Sequence, residues 1–531
     1  MQVKSYHAYP SRRSAVLARN VVATSQPLAA QAGLGILAQG GNAVDAAIAT
    51  AATLCVVEPT GNGLGSDAFA ILWDGTQLHG LNASGRAPAG WGPQRFAGLK
   101  EMPFWGWEAV TVPGAVSGWV AMWEKFGSLP FETLLGPAIS YAENGFAVSP
   151  VIADLWARGA AQLANQPGFS DVFMPNGAAP KAGQWFVNPA LGQSLRRIAE
   201  TKGQAFYTGD LAEKIVDFAK MHGAALSMQD LAEHRADWCG TISQQFGDVS
   251  LHEIPPNGQG IAALMGLGIL QHTGIGDLHP DDPQALHLQI EAMKLALRDA
   301  EAYVADPAHM AHVRSQDMLD PSYLKSRAQL ISPKHATDFG AGAPKRGGTV
   351  YLSVGDGAGR MVSFIQSNYA GFGAGVVVPG TGIHLQNRGA GFSLDPASQN
   401  YVGPRKRPFH TIIPGFLMRN GAPLASFGVM GGPMQAQGHV QMTLRTQLWG
   451  QDVQQAIDAP RWRVTQGLGV AVETSMPQAT LQRLAEMGHA LTPEPPDTAF
   501  AFGGAQFVQR LENGAYAAGS DPRKDGQAVG F

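Results

Sequence analysis

Residues 347–367 read GGTVYLSVGDGAGRMVSFIQS, and the organisation of the chain is read outward from them. Two runs rich in β-branched and aromatic residues, TVYLSV from Thr349 and RMVSFIQSNY from Arg360, flank Asp356-Gly357-Ala358-Gly359. That pattern predicts a hairpin. A three-residue loop with Gly359 in the left-handed region pairs Asp356 with Arg360. The same register sets Thr349 opposite Ser367, whereas a two-residue loop puts them on opposite faces.

Thr349 stands at a loop-to-strand junction behind two glycines. If the Gly348–Thr349 bond is cut, Thr349 carries a free α-amine beside its own hydroxyl. Such an amine has a reference pKa of about 7.7–8.0, so part of it is neutral near pH 7. It then serves as general base for the hydroxyl, directly or through water, and prepares it for acyl transfer. Gly348 suits the scissile position because it has no Cβ to hinder attack on its carbonyl. On composition alone, a Gly-Gly pair before a strand is an ordinary turn.

Upstream, Pro27 opens a helix that Gly40-Gly41 ends, and Asn42 caps the next, which Pro59 stops. The run EPTGNGLGSDAF then enters a strand, AFAILWDG. Further helices are predicted around Trp119 and Ile139, at 191–201, 210–222 and 284–304, and near 436–449, 452–458 and 477–488. Residues 332–348 have little periodicity and read as an exposed, flexible segment. The pattern is a layered body of helices and strands, richer in strands in its C-terminal third.

Composition narrows the function. The 531 residues include 37 Lys plus Arg against 41 Asp plus Glu, a net charge of −4, with no basic footprint for nucleic acid. Hydrophobic residues make up 45% and charged residues 15%, a poor fit to disorder. Two cysteines make no disulfide framework and fit a reducing compartment. No apolar run reaches the roughly 18 residues of a membrane span, and MQVKSYHAYPSRRSAV lacks the apolar core of a signal peptide. The expectation is a soluble, cytoplasmic protein. No phosphate loop, HExxH pair or GxSxG elbow occurs. His79, His252, His287 and His439 show no ligand spacing, so neither metal nor organic cofactor is expected.

Several long motifs, in order, carry a family resemblance. They are AAQAGLGILAQGGNAVDAAIATAATLCVVEPTGNGLGSDAF at 29–69, TVPGAVSGWVAMWEKFG at 111–127, and the 347–367 stretch. GAGVVVPGTGIHLQNRGAGF at 373–392, GPRKRPFHTIIP at 403–414, MGGP at 430–433, DAPRW at 458–462 and AGSDPR at 518–523 follow. The chain resembles the gamma-glutamyltransferase family of N-terminal-nucleophile hydrolases over nearly its whole length. The resemblance implies an α+β fold, a four-layer αββα sandwich made as one precursor. Self-cleavage between Gly348 and Thr349 would leave 1–348 and 349–531 associated in one unit, with homo-oligomerisation left open. It implies Thr349 as nucleophile, Ser367 as its hydroxyl partner, and the Gly431 and Gly432 amides as the oxyanion hole.

The acyl pocket departs from the family pattern. The position of the aspartate that holds a gamma-glutamyl α-amine falls on Gly391, and the glutamine position on Arg388. The asparagine position is Tyr369, and the serine pair is His410-Thr411. Ser84 stands at the usual arginine position, with Arg86 two residues on as a shifted carboxylate ligand. Gly391 offers no anion for an ammonium group. Arg388 either adds positive charge for a glutaryl or other dicarboxylic half-amide, or pairs with Asp395 at the surface. The short segment between Phe392 and Arg407 suggests an open site. The glycines of GNGLGS at 61–66 read more strongly as packing or turn positions than as substrate contacts. The default expectation is hydrolysis or transfer of gamma-glutamyl groups, glutathione included. The alternatives are an acylase for acidic half-amides, or an inactive scaffold of the same fold.

Overall fold

The computed structural model describes residues 13–310, 313–340, 348–496, 498 and 501–531. Its centre is two antiparallel seven-stranded sheets laid face to face. The first runs in the order Gln527–Gly530, Val21–Thr24, Gly348–Gly355, Met361–Tyr369, Asp67–Trp73, Leu78–Asn82 and Asp237–Trp238. The second runs Val16–Ala18, Tyr516–Ser520, Gly504–Arg510, Ala422–Met430, Gly415–Arg419, Val249–Glu253 and Ile242–Phe246. Strands from before and after position 348 interleave in both sheets.

Alternation along the strands explains the layering. Inward residues such as Phe69, Ile71, Tyr351, Ile365, Phe416 and Val508 form the core between the sheets. Gly428 lets them approach: a Cβ there would stand 2.5 Å from the Tyr351 ring. Outward residues of the first sheet pack on helices Pro27–Ala38, Ala43–Val57, Ala115–Phe126 and Phe131–Asn144. Those of the second pack on Gly260–Leu270, Pro283–Tyr303 and Met434–Thr443. The fold is α+β, in αββα layers. No helix among the described residues is long and apolar enough to cross a membrane.

Local signals act as their chemistry requires. Asn42 and Asp45 form a capping box at the start of the Ala43–Val57 helix. The hairpin at 356–360 has the predicted loop: the Asp356 amide donates to the Arg360 carbonyl at 3.0 Å, and Gly359 has φ +87°. Residues 341–347, part of the segment read as flexible just before Thr349, lie outside the described residues. The part at 332–340 is tethered, contrary to that reading. His287 Nε2 donates to the Ser332 carbonyl at 2.8 Å, and the Thr337 amide to Glu291 at 2.9 Å.

The late motifs at 458–462 and 518–523 prove structural. Arg461 pairs with Asp521 at 2.7 Å, and Arg523 with Glu473 at 2.6 Å, all buried. Burial alone would raise the Asp521 carboxyl; the two guanidinium groups overcome it and hold the pKa at about 2. The Ala505 amide also donates to Asp521, joining this network to the second sheet.

Candidate active site

Thr349 is the second residue of its strand and only 1% exposed. From Val350 to Gly355 the ladder to Met361–Tyr369 has the predicted register, with Val350 opposite Gln366. At the top, however, Gly348 faces Tyr369, so a bulge falls at Thr349 itself. Tyr369 marks the place by its backbone: φ is +82°, strained for a bulky side chain. The bulge still leaves Thr349 Oγ1 donating to Ser367 Oγ at 3.2 Å. The expected facing of these two hydroxyls is present.

Ser367 Oγ is the hub. It donates to the Gly348 carbonyl at 2.7 Å and accepts from the Tyr369 amide at 2.8 Å and from Arg388 Nη2 at 2.6 Å. Arg388 therefore faces the interior and not Asp395. It is 1% exposed, donates through Nη1 to Thr411 Oγ1 at 2.8 Å, and lies 4.9 Å from the Tyr369 ring centre. Its Nε is buried without a partner. Among the described residues, no carboxylate pairs with this guanidinium. Burial lowers its pKa to about 10, with Asp67 pulling the other way, so it remains charged near neutrality.

Asp67, which the sequence reading passed over, is fully buried opposite Ser367 on the neighbouring strand. Burial pushes its carboxyl up to about 7, against the opposing influence of Arg388 and the Gly85 amide. His410 Nε2 lies 3.1 Å from Asp67 Oδ2. Burial, reinforced by Arg388 and Arg407, drives the His410 pKa well down, leaving a neutral ring. Its Nδ1 accepts from the Ile412 amide at 3.4 Å, which places the proton on Nε2. Gln435, also unforeseen, donates from Nε2 to Thr349 Oγ1 at 3.4 Å. Its signal was its place just past the MGGP motif, in the first turn of the Met434–Thr443 helix.

Arg86 is the clearest correction. The structure does not bring it to Thr349: Nη1 donates to Asp306 at 3.1 Å and to the Arg405 carbonyl at 3.2 Å, and its side chain is 45% exposed. The Asp306 carboxylate, itself 5% exposed, outcompetes the interior for this cation. Ser84 is buried and donates to Asn82 at 2.7 Å. Thr349 itself is buried in the continuous chain. A cavity of about 420 Å³ is lined by Tyr369 and Thr411, which contact Arg388, and by Gly391, Phe409 and Pro433 among others. At Gly391 a Cβ would stand 2.8 Å from the Phe409 carbonyl oxygen, so an aspartate fits there only if the backbone shifts.

Gly431 and Gly432 end the Ala422–Met430 strand with φ of +120° and +61°. Gln259 Nε2 fixes the turn by donating to the Gly432 carbonyl at 2.9 Å. Only glycine adopts the Gly431 conformation without strain. Gly431→Ala is therefore expected to turn that amide and, with the oxyanion role that the family resemblance implies for it, to slow acylation by about 10²-fold; single-turnover rates check this. Of the glycines at 61–66, Gly61 packs on Thr349, where a Cβ would meet its carbonyl carbon at 3.3 Å. The one grouping with possible metal-ligand spacing among the described residues is His287, Glu291 and His489. There Lys294 Nζ already donates to Glu291 at 2.7 Å.

The family model for Gamma-glutamyltranspeptidase matches residues 29–531. A Glutathione hydrolase-like YwrD proenzyme of Bacillus subtilis is 36% identical over 98% of this chain and 100% of its own. An Oxamate amidohydrolase proenzyme of Klebsiella pneumoniae is also 36% identical, over 95% of this chain and 97% of its own. The crystal structure of a cephalosporin acylase from Bacillus halodurans superposes with a TM-score of 0.95. It is 45% identical and covers 100% of this chain and 99% of that one.

Proposed function

The chain belongs to the gamma-glutamyltranspeptidase family of N-terminal-nucleophile hydrolases, and from that premise we propose that it is a self-activating amidohydrolase for acyl groups bearing a carboxylate but no α-ammonium. In this reading the Gly348–Thr349 bond is cut, leaving 1–348 and 349–531 in one interleaved body. The freed Thr349 amine takes the Oγ1 proton, and Oγ1 attacks the substrate carbonyl. Amides of Gly431 and Gly432 receive the developing oxyanion. Collapse expels the amine, and water releases the acid from the acyl-enzyme.

The observation that carries the acyl preference is Arg388. A buried guanidinium without a carboxylate partner is costly to maintain, and an acidic substrate supplies the missing partner. Thr411 and Tyr369 hold it in place, replacing the groups that the family uses for an α-amino acid. Position 391 has no acid to receive an ammonium group and little room for one. Gamma-glutamyl substrates therefore rank below acidic half-amides, despite the glutathione hydrolase-like name of one relative. The relative named for oxamate supports this order, because oxamate pairs an amide with a carboxylate and carries no α-amine. An inactive scaffold is disfavoured by the intact set of Thr349, Ser367, Gly431 and Gly432.

The test compares glutaryl, gamma-glutamyl and acetyl anilides, together with oxamate, on purified two-chain protein. The expected result is the largest kcat/KM among the acidic acyl groups without an α-amine. Faster turnover of the gamma-glutamyl compound would overturn this order and restore the family default.

A further inference from the structure

The continuous chain places the Gly348 carbonyl inside the hydrogen-bond shell of Ser367. A serine hydroxyl has one proton and two lone pairs. Here the Arg388 guanidinium at 2.6 Å and the Tyr369 amide at 2.8 Å occupy the oxygen far more closely than Thr349 Oγ1 at 3.2 Å. The serine proton is left pointing at the Gly348 oxygen, 2.7 Å away. A charged donor on Ser367 Oγ makes its O–H a stronger donor in turn. This is the geometry of an oxyanion stabiliser aimed at the chain's own peptide bond.

We propose that Arg388 is a positioning residue for self-cleavage, acting through Ser367 on the Gly348 carbonyl before it serves any substrate. The inference rests on the reading that the chain cuts itself between Gly348 and Thr349. In the step, Thr349 Oγ1 bonds to the Gly348 carbonyl carbon, and the carbonyl π electrons move onto its oxygen, which Ser367 O–H stabilises. The intermediate collapses with rupture of the carbon–nitrogen bond; the proton lost from Oγ1 ends on the Thr349 nitrogen. The product is an ester between Gly348 and the Thr349 side chain. Water then hydrolyses it to a Gly348 carboxylate, the free hydroxyl and the free amine. When the Gly348 carbonyl leaves Ser367, the same guanidinium keeps an unpartnered Nε with which to meet an acyl carboxylate. One cation thus works twice, first on the chain and then on an acyl carboxylate.

The experiment follows cleavage of freshly synthesised full-length chain on denaturing gels, with no substrate added. It compares the parent with Ser367→Ala, Arg388→Lys and Arg388→Ala, the last also with millimolar ethylguanidinium. Ser367→Ala is expected to cleave about 10²-fold more slowly, as for loss of one oxyanion donor. Arg388→Ala is expected to slow cleavage at least about 10-fold, with part of the rate returned by ethylguanidinium, and Arg388→Lys to fall between. Melting temperatures of the uncut variants identify any that fail to fold; Arg388→Lys, which keeps length and charge, then carries the test against Arg388→Met. Parental cleavage in Arg388→Ala, or slowing that neither lysine nor ethylguanidinium relieves, would overturn the proposal. A parent chain that stays whole would instead sink the self-cleavage reading itself, so the two failures are distinct.

Discussion

Thr349→Ala is expected to remain a single full-length chain and to hydrolyse no amide, with turnover reduced by at least about 10⁴-fold. In the proposed mechanism the hydroxyl acts twice, to open the Gly348–Thr349 bond and to attack substrate, and alanine can do neither. Folding should survive. The side chain lies buried at the start of a central strand, where alanine fits, and gives up the hydrogen bonds to Ser367 at 3.2 Å and Gln435 at 3.4 Å. These are long bonds, so the stability loss should not exceed about 1 kcal/mol. Thr349→Ser keeps an oxygen in place and should retain cleavage at a reduced rate, since serine lacks the γ-methyl that restricts χ1. Denaturing gels, thermal melts and anilide hydrolysis decide the matter together. A Thr349→Ala chain that splits in two, or that hydrolyses amides at the parental rate, would remove Thr349 from the chemistry.

The hairpin was legible because its loop has chemistry of its own. Gly359 must take a positive φ, and once the loop length is set the strand register follows down to Val350. The same holds for Asn42 and Asp45, whose side chains name the helix they cap. What the sequence did not disclose is where two segments far apart meet. The bulge at Thr349 comes together with the strained Tyr369 opposite Gly348, which no local pattern demands. Arg388 had two plausible partners on paper, and only the packing of Tyr369, Thr411 and Ser367 around it selects the interior. Arg86 was misplaced for the same reason: Asp306, 220 residues away, captures its guanidinium. Asp67 escaped attention because an aspartate in a glycine-rich loop usually marks a turn, and its burial comes from neighbouring strands and His410.

Those buried groups give the site a definite charge logic. Near neutral pH Arg388 is charged, His410 is neutral, and Asp67 lies close to its midpoint of about 7. As an acid raised above its unfolded value of about 3.9, Asp67 favours the folded state when protonated, and its contribution declines as pH rises between those values. In the proposed reading its carboxylate above pH 7 also competes with an acidic substrate for the field of Arg388. The Michaelis constant for a glutaryl amide should therefore rise through about pH 7, whereas that for an acetyl amide should stay level.

Arg388→Gln carries the second large effect. Measured on the two-chain fraction, so that slow processing does not enter, kcat/KM for a glutaryl anilide should fall by about 10–10²-fold, as for loss of a charge-assisted hydrogen bond. Most of the fall belongs in KM, because a carboxylate remote from the reacting carbon is held alike in ground and transition states. The acetyl anilide has no such contact; its kcat/KM should hold within about threefold, the residue of a modest change at Ser367. Ionic strength supplies a further discriminant. A surface cation would lose its influence between low and high salt, but Arg388 is 1% exposed and sits where mobile ions do not screen it, so the parent's preference for glutaryl over acetyl should persist. Equal losses for the two anilides in Arg388→Gln would show that the guanidinium only orients Ser367. A loss confined to the acidic acyl group makes it the residue that selects the substrate.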